Sequence, residues 1–251
     1  MNRFDGVVGV VTGGASGIGR EIAIGLSALG MRLALIDLDG AGLAETVSLT
    51  TGPERHRAFT VDVADAAAVD AVTARIVEDL GTPGMLVSSA GRLGPHRPAV
   101  WELTPQDWTD VFGANLYGSV NFTRALVPLM RAAARPAHIV TIASLAGLVA
   151  EDRLGAYVAA KRALISFTET LRLQLAADEA GIGVTLVCPG GVPTNLNAAL
   201  RATARSSSSD WLTAAEVAKK VIDAVHRGDF YVFTHASSEE RIRRYYESVL
   251  G

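Results

Sequence analysis

Cysteine is nearly absent: Cys188 stands alone in 251 residues, so the chain can build neither an internal disulfide nor a multi-cysteine metal site. Histidine offers little more. His56, His96, His138, His226 and His235 are scattered, with no pair at metal-ligand spacing, and no metal is expected. There is no basic block, and 23 basic residues face 26 acidic ones for a net charge of −3, which argues against a nucleic-acid partner. No apolar run approaches the ~20 residues that a membrane span needs. The first residues, "MNRFDGVVGVVTGG", lead straight into a strand and a glycine turn rather than a signal peptide. A cytoplasmic protein is the expectation.

Short apolar runs alternate with longer helical segments, the pattern of a parallel sheet covered by helices on both faces. Strands are expected over 7–11, 32–37, 57–62, 85–89, 138–143, 184–188 and 230–234, most of them apolar nearly throughout, as strands buried on two faces are. Helices are expected near 17–29, 40–49, 66–80, 104–133, 156–180 and 213–227. Asp65 and Thr213 stand at N-cap positions, and Gly30, Gly81 and Gly181 follow helix ends. Right-handed crossovers then give an α/β doubly wound Rossmann fold, seven parallel strands in the order 3-2-1-4-5-6-7. One dinucleotide-binding and catalytic domain over 1–251 is expected.

After the first strand, "VVTGGASGIGREIAIGL" places Gly13, Gly17 and Gly19 at the opening of a helix. A tight turn, close backbone approach to a pyrophosphate and close helix–sheet packing each favour a residue without a Cβ. The helix end then offers free N–H groups and its positive dipole to phosphate. A ligand-free strand–helix turn would show the same spacing. The next strand ends "LALIDLDG", with Asp37 at its carboxyl end. A carboxylate there accepts from the adenosine ribose 2′-OH and repels a 2′-phosphate, favouring NAD over NADP. A turn residue or helix cap is the plainer role for Asp37.

Tyr157 and Lys161 stand four apart in "AYVAAKRAL", on one helix face. Alone, the pair could be a solvated surface contact. Its position matters more: Ser144 closes the fifth strand in "HIVTIASLAG", thirteen residues earlier. "IASLA" lacks the G-x-S-x-G of a hydrolase nucleophile elbow. A lysine ammonium ~5 Å from a phenol, at an effective dielectric of ~20, favours phenolate by roughly 3 kcal/mol, about two pKa units.

With "TGGASGIG", Asp62–Val63, "SSAG" at Ser88–Gly91, Asn115, Ser144, "YVAAK" and "PGGVPT" at Pro189–Thr194 all in order, the chain resembles the short-chain dehydrogenase/reductase family over nearly its whole length. The resemblance implies NAD bound by Gly13, Ser16, Gly17, Ile18, Gly19, Asp37, Asp62, Val63, Ser89, Ala90 and Gly91. It further implies that Tyr157, Lys161, Pro189, Gly190, Val192 and Thr194 meet the nicotinamide half. Tyr157 is the implied general acid/base, Ser144 the holder of the substrate oxygen, and Lys161 the partner of Tyr157 and of the ribose. Asn115 is implied to seat a water in a proton path from Lys161. One departure stands out. The family usually has paired asparagines where this chain has Ser88 and Ser89, and a hydroxyl reaches less far than an amide.

Substrate selection is expected from 92–98, 145–155 and a mobile loop near 195–211, with Leu148, Val149, Leu196, Leu200 and Trp211 as an apolar wall and Glu151, Arg201 and Arg205 as polar readers. A secondary alcohol or ketone, apolar or cyclic, fits such a wall. A C-terminal helix near 237–250 carries Ile242, Tyr245, Tyr246 and Val249 at helical spacing. The resemblance also implies a homodimer or homotetramer. Two other readings remain open: a non-catalytic NAD-binding regulator on the same fold, and an NADP-dependent 3-oxoacyl-carrier reductase, which Asp37 opposes.

Overall fold

In a computed structural model that describes residues 4–96, 98–197 and 211–251, the apolar runs become β1 (Val8–Thr12), β2 (Arg32–Asp37), β3 (Arg57–Thr60), β4 (Met85–Ser88), β5 (Ala137–Ile142), β6 (Ile182–Cys188) and β7 (Tyr231–Phe233). They form one sheet in the order 3-2-1-4-5-6-7, every pairing parallel. This is the doubly wound α/β arrangement that the alternating pattern requires. Side chains alternate across the sheet, and both faces are dry. Val11, Leu35, Val87 and Val187 point into one core, while Val10, Ile36, Leu86 and Ile139 point into the other.

Helices α1 (Gly17–Ala28) and α7 (Ala214–Arg227) cover the first face through Ile22, Leu26, Val217 and Val221. On the second face lie α3 (Ala66–Leu80), α5 (Gly118–Ala132) and α6 (Gly155–Ala177), which supply Ile76, Phe122, Leu126 and Leu171. Helix α2 (Gly40–Leu49) joins β2 to β3, and α8 (Ser238–Leu250) follows β7. Asp65 caps α3 by accepting from the Ala67 and Ala68 amides. Thr213 and Glu216 close a reciprocal capping box on α7. Positive φ at Gly30, Gly81 and Gly181 turns the chain out of the preceding helices.

The segment expected as one helix over 104–133 is broken. It runs as α4 (Pro105–Phe112), a π turn over Gly113–Tyr117, and α5. A π turn inserts a residue into the helical ladder and needs a tertiary reason. Here the reason is close contact: a Cβ at Gly118 would meet Val63 Cγ2 at 2.5 Å, and one at Gly113 would meet Ala64 at 3.1 Å. The helix is pressed onto the loop after β3.

Phe122 is fully buried at the centre of the second core. Phe122→Ala is expected to lower the unfolding free energy by about 3–5 kcal/mol, measured by chemical denaturation followed by circular dichroism. A loss under about 1 kcal/mol would mean that the α3–α5 layer collapses freely into the space.

Candidate active site

All of the cleft-forming loops leave the sheet at its carboxyl edge, where open α/β sheets bind ligands. Thr12, the last residue of β1, is buried and hydrogen-bonds across to the end of β4. Its Oγ1 donates to the Val87 carbonyl at 3.4 Å and accepts from the Ser89 and Ala90 amides at 3.1 and 3.2 Å. This ties the Ser88–Ser89 segment down. Ser88 Oγ itself is buried without a partner among the described residues. Next comes Gly13 at φ +69, where a Cβ would lie 2.8 Å from the Ala90 nitrogen and the Ser89 carbonyl. Only glycine fits both the backbone and the space.

Ser16 caps α1 in an extended conformation and spends no side-chain bond on the helix. The hydroxyl and the first-turn amides are left for a ligand in the cleft. Asp37 lies at the end of β2 and braces the turn: its Oδ2 accepts from the Ala15 amide and its Oδ1 from the Asp39 amide, both at 3.1 Å. The cap of α2 is Asp39, so Asp37 is not the helix cap. Asp62 accepts from the Ala64 amide at 2.9 Å, and Val63 beside it is buried.

The fifth strand and helix α6 supply the reactive groups. Ser144 follows β5; its Oγ accepts from the Ala146 amide at 3.2 Å and its hydroxyl bonds to the Tyr157 phenol. Tyr157 and Lys161 are both buried. Lys161 Nζ donates to the Ile142 carbonyl at 3.0 Å and stands 5.7 Å above the centre of the Tyr157 ring. Asn115, in the π turn, is fully buried. It donates through Nδ2 to the Arg92 and Val111 carbonyls at 2.6 and 2.8 Å. Its Oδ1 has no partner among the described residues and faces Gly91, where a Cβ would lie 2.8 Å away.

Burial governs the titration of this cluster. The Tyr157 phenol is pushed up to about 12 by loss of water, with the Ser144 hydroxyl pulling the other way. Lys161 is pushed down to about 8 by the same cause, and the Cys188 thiol up to about 12. The sequence expectation of a phenol lowered by its lysine therefore fails for this arrangement. The ammonium sits over the ring face and bonds to a backbone carbonyl, and desolvation of the phenolate outweighs its field. Cys188 is an inert buried strand residue.

Beyond β6, the "PGGVPT" turn folds back over the cleft. Asn197 bridges it, donating to the Val192 carbonyl at 2.9 Å and accepting from the Thr194 amide at 3.1 Å. The Thr194 side chain packs on Gly17. Every residue named for catalysis or cofactor binding lines one cleft of about 1140 Å³, except Asn115, which lies behind its wall. Of the expected apolar wall, Leu196 lines the cleft and Trp211 a side cavity of about 170 Å³. Leu148 and Val149 do not line the cleft, since they pack inward. Leu200, Arg201, Arg205 and Arg97 lie outside the described residues.

Within the expected 145–155 segment one more residue lines the cleft, and α8 supplies another that the sequence does not single out. Leu154 adds apolar surface, and Arg241 of α8 reaches back to pair with Glu151 at 3.3 Å. Helical spacing marks Ile242, Tyr245, Tyr246 and Val249 within 237–250, whereas it is Arg241 that lines the cleft. Among the described residues no helix is long and apolar enough to cross a membrane, and no group of three or more metal-ligating side chains is brought together.

A family model described as short chain dehydrogenase matches residues 7–205. The chain is similar to 1-deoxy-11-beta-hydroxypentalenate dehydrogenase from Streptomyces avermitilis, at 32% identity over 93% of this chain and 86% of that protein. It is similar to 2,3-dihydro-2,3-dihydroxybenzoate dehydrogenase from Bacillus subtilis, at 35% identity over 77% of this chain and 72% of that one. A crystal structure of a short chain dehydrogenase/reductase from Burkholderia phymatum in complex with NAD superimposes with a TM-score of 0.90, at 34% identity, covering 99% of this chain and 96% of the other.

The buried lysine has a thermodynamic signature. Its folded value, about 8, lies below the ordinary 10.5, so between these pH values the unfolded chain binds more protons and stability rises with pH. Below pH 8 the full penalty for the buried ammonium remains. Lys161→Met removes that penalty, so its stability advantage over wild type is expected to shrink by roughly 2–3 kcal/mol between about pH 7 and pH 10. Urea denaturation across that range measures it, and a constant difference would contradict the assignment.

Proposed function

The chain belongs to the short-chain dehydrogenase/reductase family and is an oxidoreductase; on that premise we propose that it moves a hydride between NAD and a secondary alcohol or ketone, with Tyr157 as general acid/base. The observation that carries this reading is the cluster of Ser144 with the buried Tyr157 and Lys161, which opens onto the same cleft as the glycine turn and Asp37.

The residues present fit a dinucleotide. The turn at Gly13 leaves no room for a side chain, the start of α1 has uncommitted donors, and the β2 carboxylate faces the cleft and is followed in sequence by Leu38, Asp39 and Gly40 with no basic residue among them. In this reading Gly13, Ser16, Gly17, Ile18 and Gly19 hold the pyrophosphate, and Asp37 the adenosine ribose. Asp62 and Val63 flank the adenine. Ser89, Ala90 and Gly91 run beneath the middle of the cofactor. Lys161 holds the second ribose, and Pro189, Gly190, Val192 and Thr194 meet the nicotinamide end. The bound cofactor supplies or accepts the hydride and, when oxidised, adds a positive charge near the phenol.

Ser144 holds the substrate oxygen and stabilises charge that develops on it. With its proton held up to about 12, Tyr157 is ready to donate to a carbonyl oxygen. In the direction of alcohol oxidation it must lose that proton first, helped by the Lys161 ammonium. Lys161 near 8 carries its charge at neutral pH and exchanges protons readily. Asn115 lies in an interrupted helical ladder, and its backbone carbonyl is the proposed seat of a water that connects Lys161 to solvent.

For substrate, the reading favours an apolar or cyclic secondary alcohol, supported by Leu154 and Leu196 in the cleft. The Bacillus relative is named for 2,3-dihydro-2,3-dihydroxybenzoate, a ring with alcohol groups, which supports the cyclic part of this reading. We further place the protein in the cytoplasm as a homodimer or homotetramer, with Tyr117 and Leu173 exposed on the helices that would meet.

Incubated with NAD and a panel of secondary alcohols, the purified protein is expected to generate absorbance at the NADH band. Tyr157→Phe should cut kcat by about 10²–10⁴-fold, and turnover that survives this change would sink the mechanism. Asp37→Ala is expected to raise the ratio of NADP to NAD turnover. Equal use of both cofactors by the wild type would refute the NAD assignment.

A further inference from the structure

We infer that His235 is a positioning residue that fixes the Gly190–Gly191 turn in the shape that meets the nicotinamide end of the cofactor; this rests on the functional reading above. His235 lies two residues beyond β7, far from the glycine turn in sequence, and is buried with both ring nitrogens engaged. The Gly190 amide donates to Nδ1 at 3.0 Å, and Nε2 lies 3.0 Å from the Gly191 carbonyl. These partners settle the tautomer. An amide needs an acceptor and a carbonyl needs a donor, so Nδ1 is bare and Nε2 carries the hydrogen. The buried Thr234 hydroxyl lies 2.7 Å from the same Nδ1 and shares its one lone pair with the Gly190 amide.

The turn needs such a clamp because two successive glycines have more backbone freedom than any other pair. The same clamp explains why they are glycines. A Cβ on Gly190 would lie 3.0 Å from the imidazole ring, and a Cβ on Gly191 would lie 3.0 Å from the Trp211 indole. The turn is held between the two rings. The Gly191 carbonyl also accepts from the Leu212 amide at 3.3 Å, so one oxygen joins the turn, His235 and the chain that enters α7. The His235 carbonyl in turn accepts from the Ser238 amide at the start of α8. Rigid placement of this turn lowers the conformational cost of binding the nicotinamide end.

The test separates the two halves of the cofactor. NADH and ADP-ribose, which lacks the nicotinamide, are titrated against wild type and His235→Phe, a variant that keeps the ring and loses both hydrogen bonds. NADH is expected to bind about tenfold more weakly to the variant, the size of one lost net hydrogen bond. ADP-ribose should bind as to wild type, and His235→Asn, which restores an acceptor for the Gly190 amide, should recover part of the NADH affinity. Unchanged NADH affinity in His235→Phe, or equal weakening of both ligands, would overturn the inference. Should His235→Phe fail to fold, the same two titrations on His235→Gln decide, with the same selective loss of NADH expected. Wild type that binds neither ligand defeats the functional reading itself, which is a different result from wild-type binding with an insensitive variant.

Discussion

Lys161 donates one hydrogen bond to the Ile142 carbonyl at the last residue of β5, and the geometry of the cluster depends on it. The bond joins α6 to the carboxyl edge of the sheet at the point where Ser144 leaves the strand. One turn back along the helix, Tyr157 is then carried to the Ser144 hydroxyl. An ammonium buried this deeply is unfavourable unless its donors are met, and the Ile142 carbonyl meets one of them. The sheet tolerates it because both of its faces are packed with aliphatic side chains. The reactive groups stand at the edge of this packed sheet.

The parallel sheet and its order could be read from the sequence because a strand covered on both faces must be apolar throughout, and such runs occur at regular intervals. The positions of Ser144, Tyr157, Lys161 and Asp37 followed, since the carboxyl ends of the strands are fixed once their order is known. What spacing alone conceals is burial. The Tyr157–Lys161 pair looked like an ammonium tuning a phenol, yet desolvation turned out to dominate both groups. The break at Asn115 was hidden for a similar reason. Helical propensity runs on across 104–133, and the π turn comes from contact with the loop after β3. Gly113 and Gly118 are the only local trace of it. His235 carried no signal at all, because a lone histidine gains meaning only from the turn it meets.

The replacement of the family's paired asparagines by Ser88 and Ser89 has a structural answer in Thr12. One hydroxyl at the end of β1 accepts from two successive amides after β4 and holds the segment that carries Ser88 and Ser89. Ser88 keeps an unspent hydroxyl in the core, the small residual cost of this arrangement.

Asp37 has both carboxylate oxygens engaged by backbone amides, one of them from the phosphate-facing turn. The residue that would choose between cofactors is therefore also a structural part of the loop that holds them. Exchanging this side chain for a cation would also take away the acceptor of the Ala15 amide. A change of cofactor at this position is therefore coupled to a change in the shape of the loop that carries Ala15.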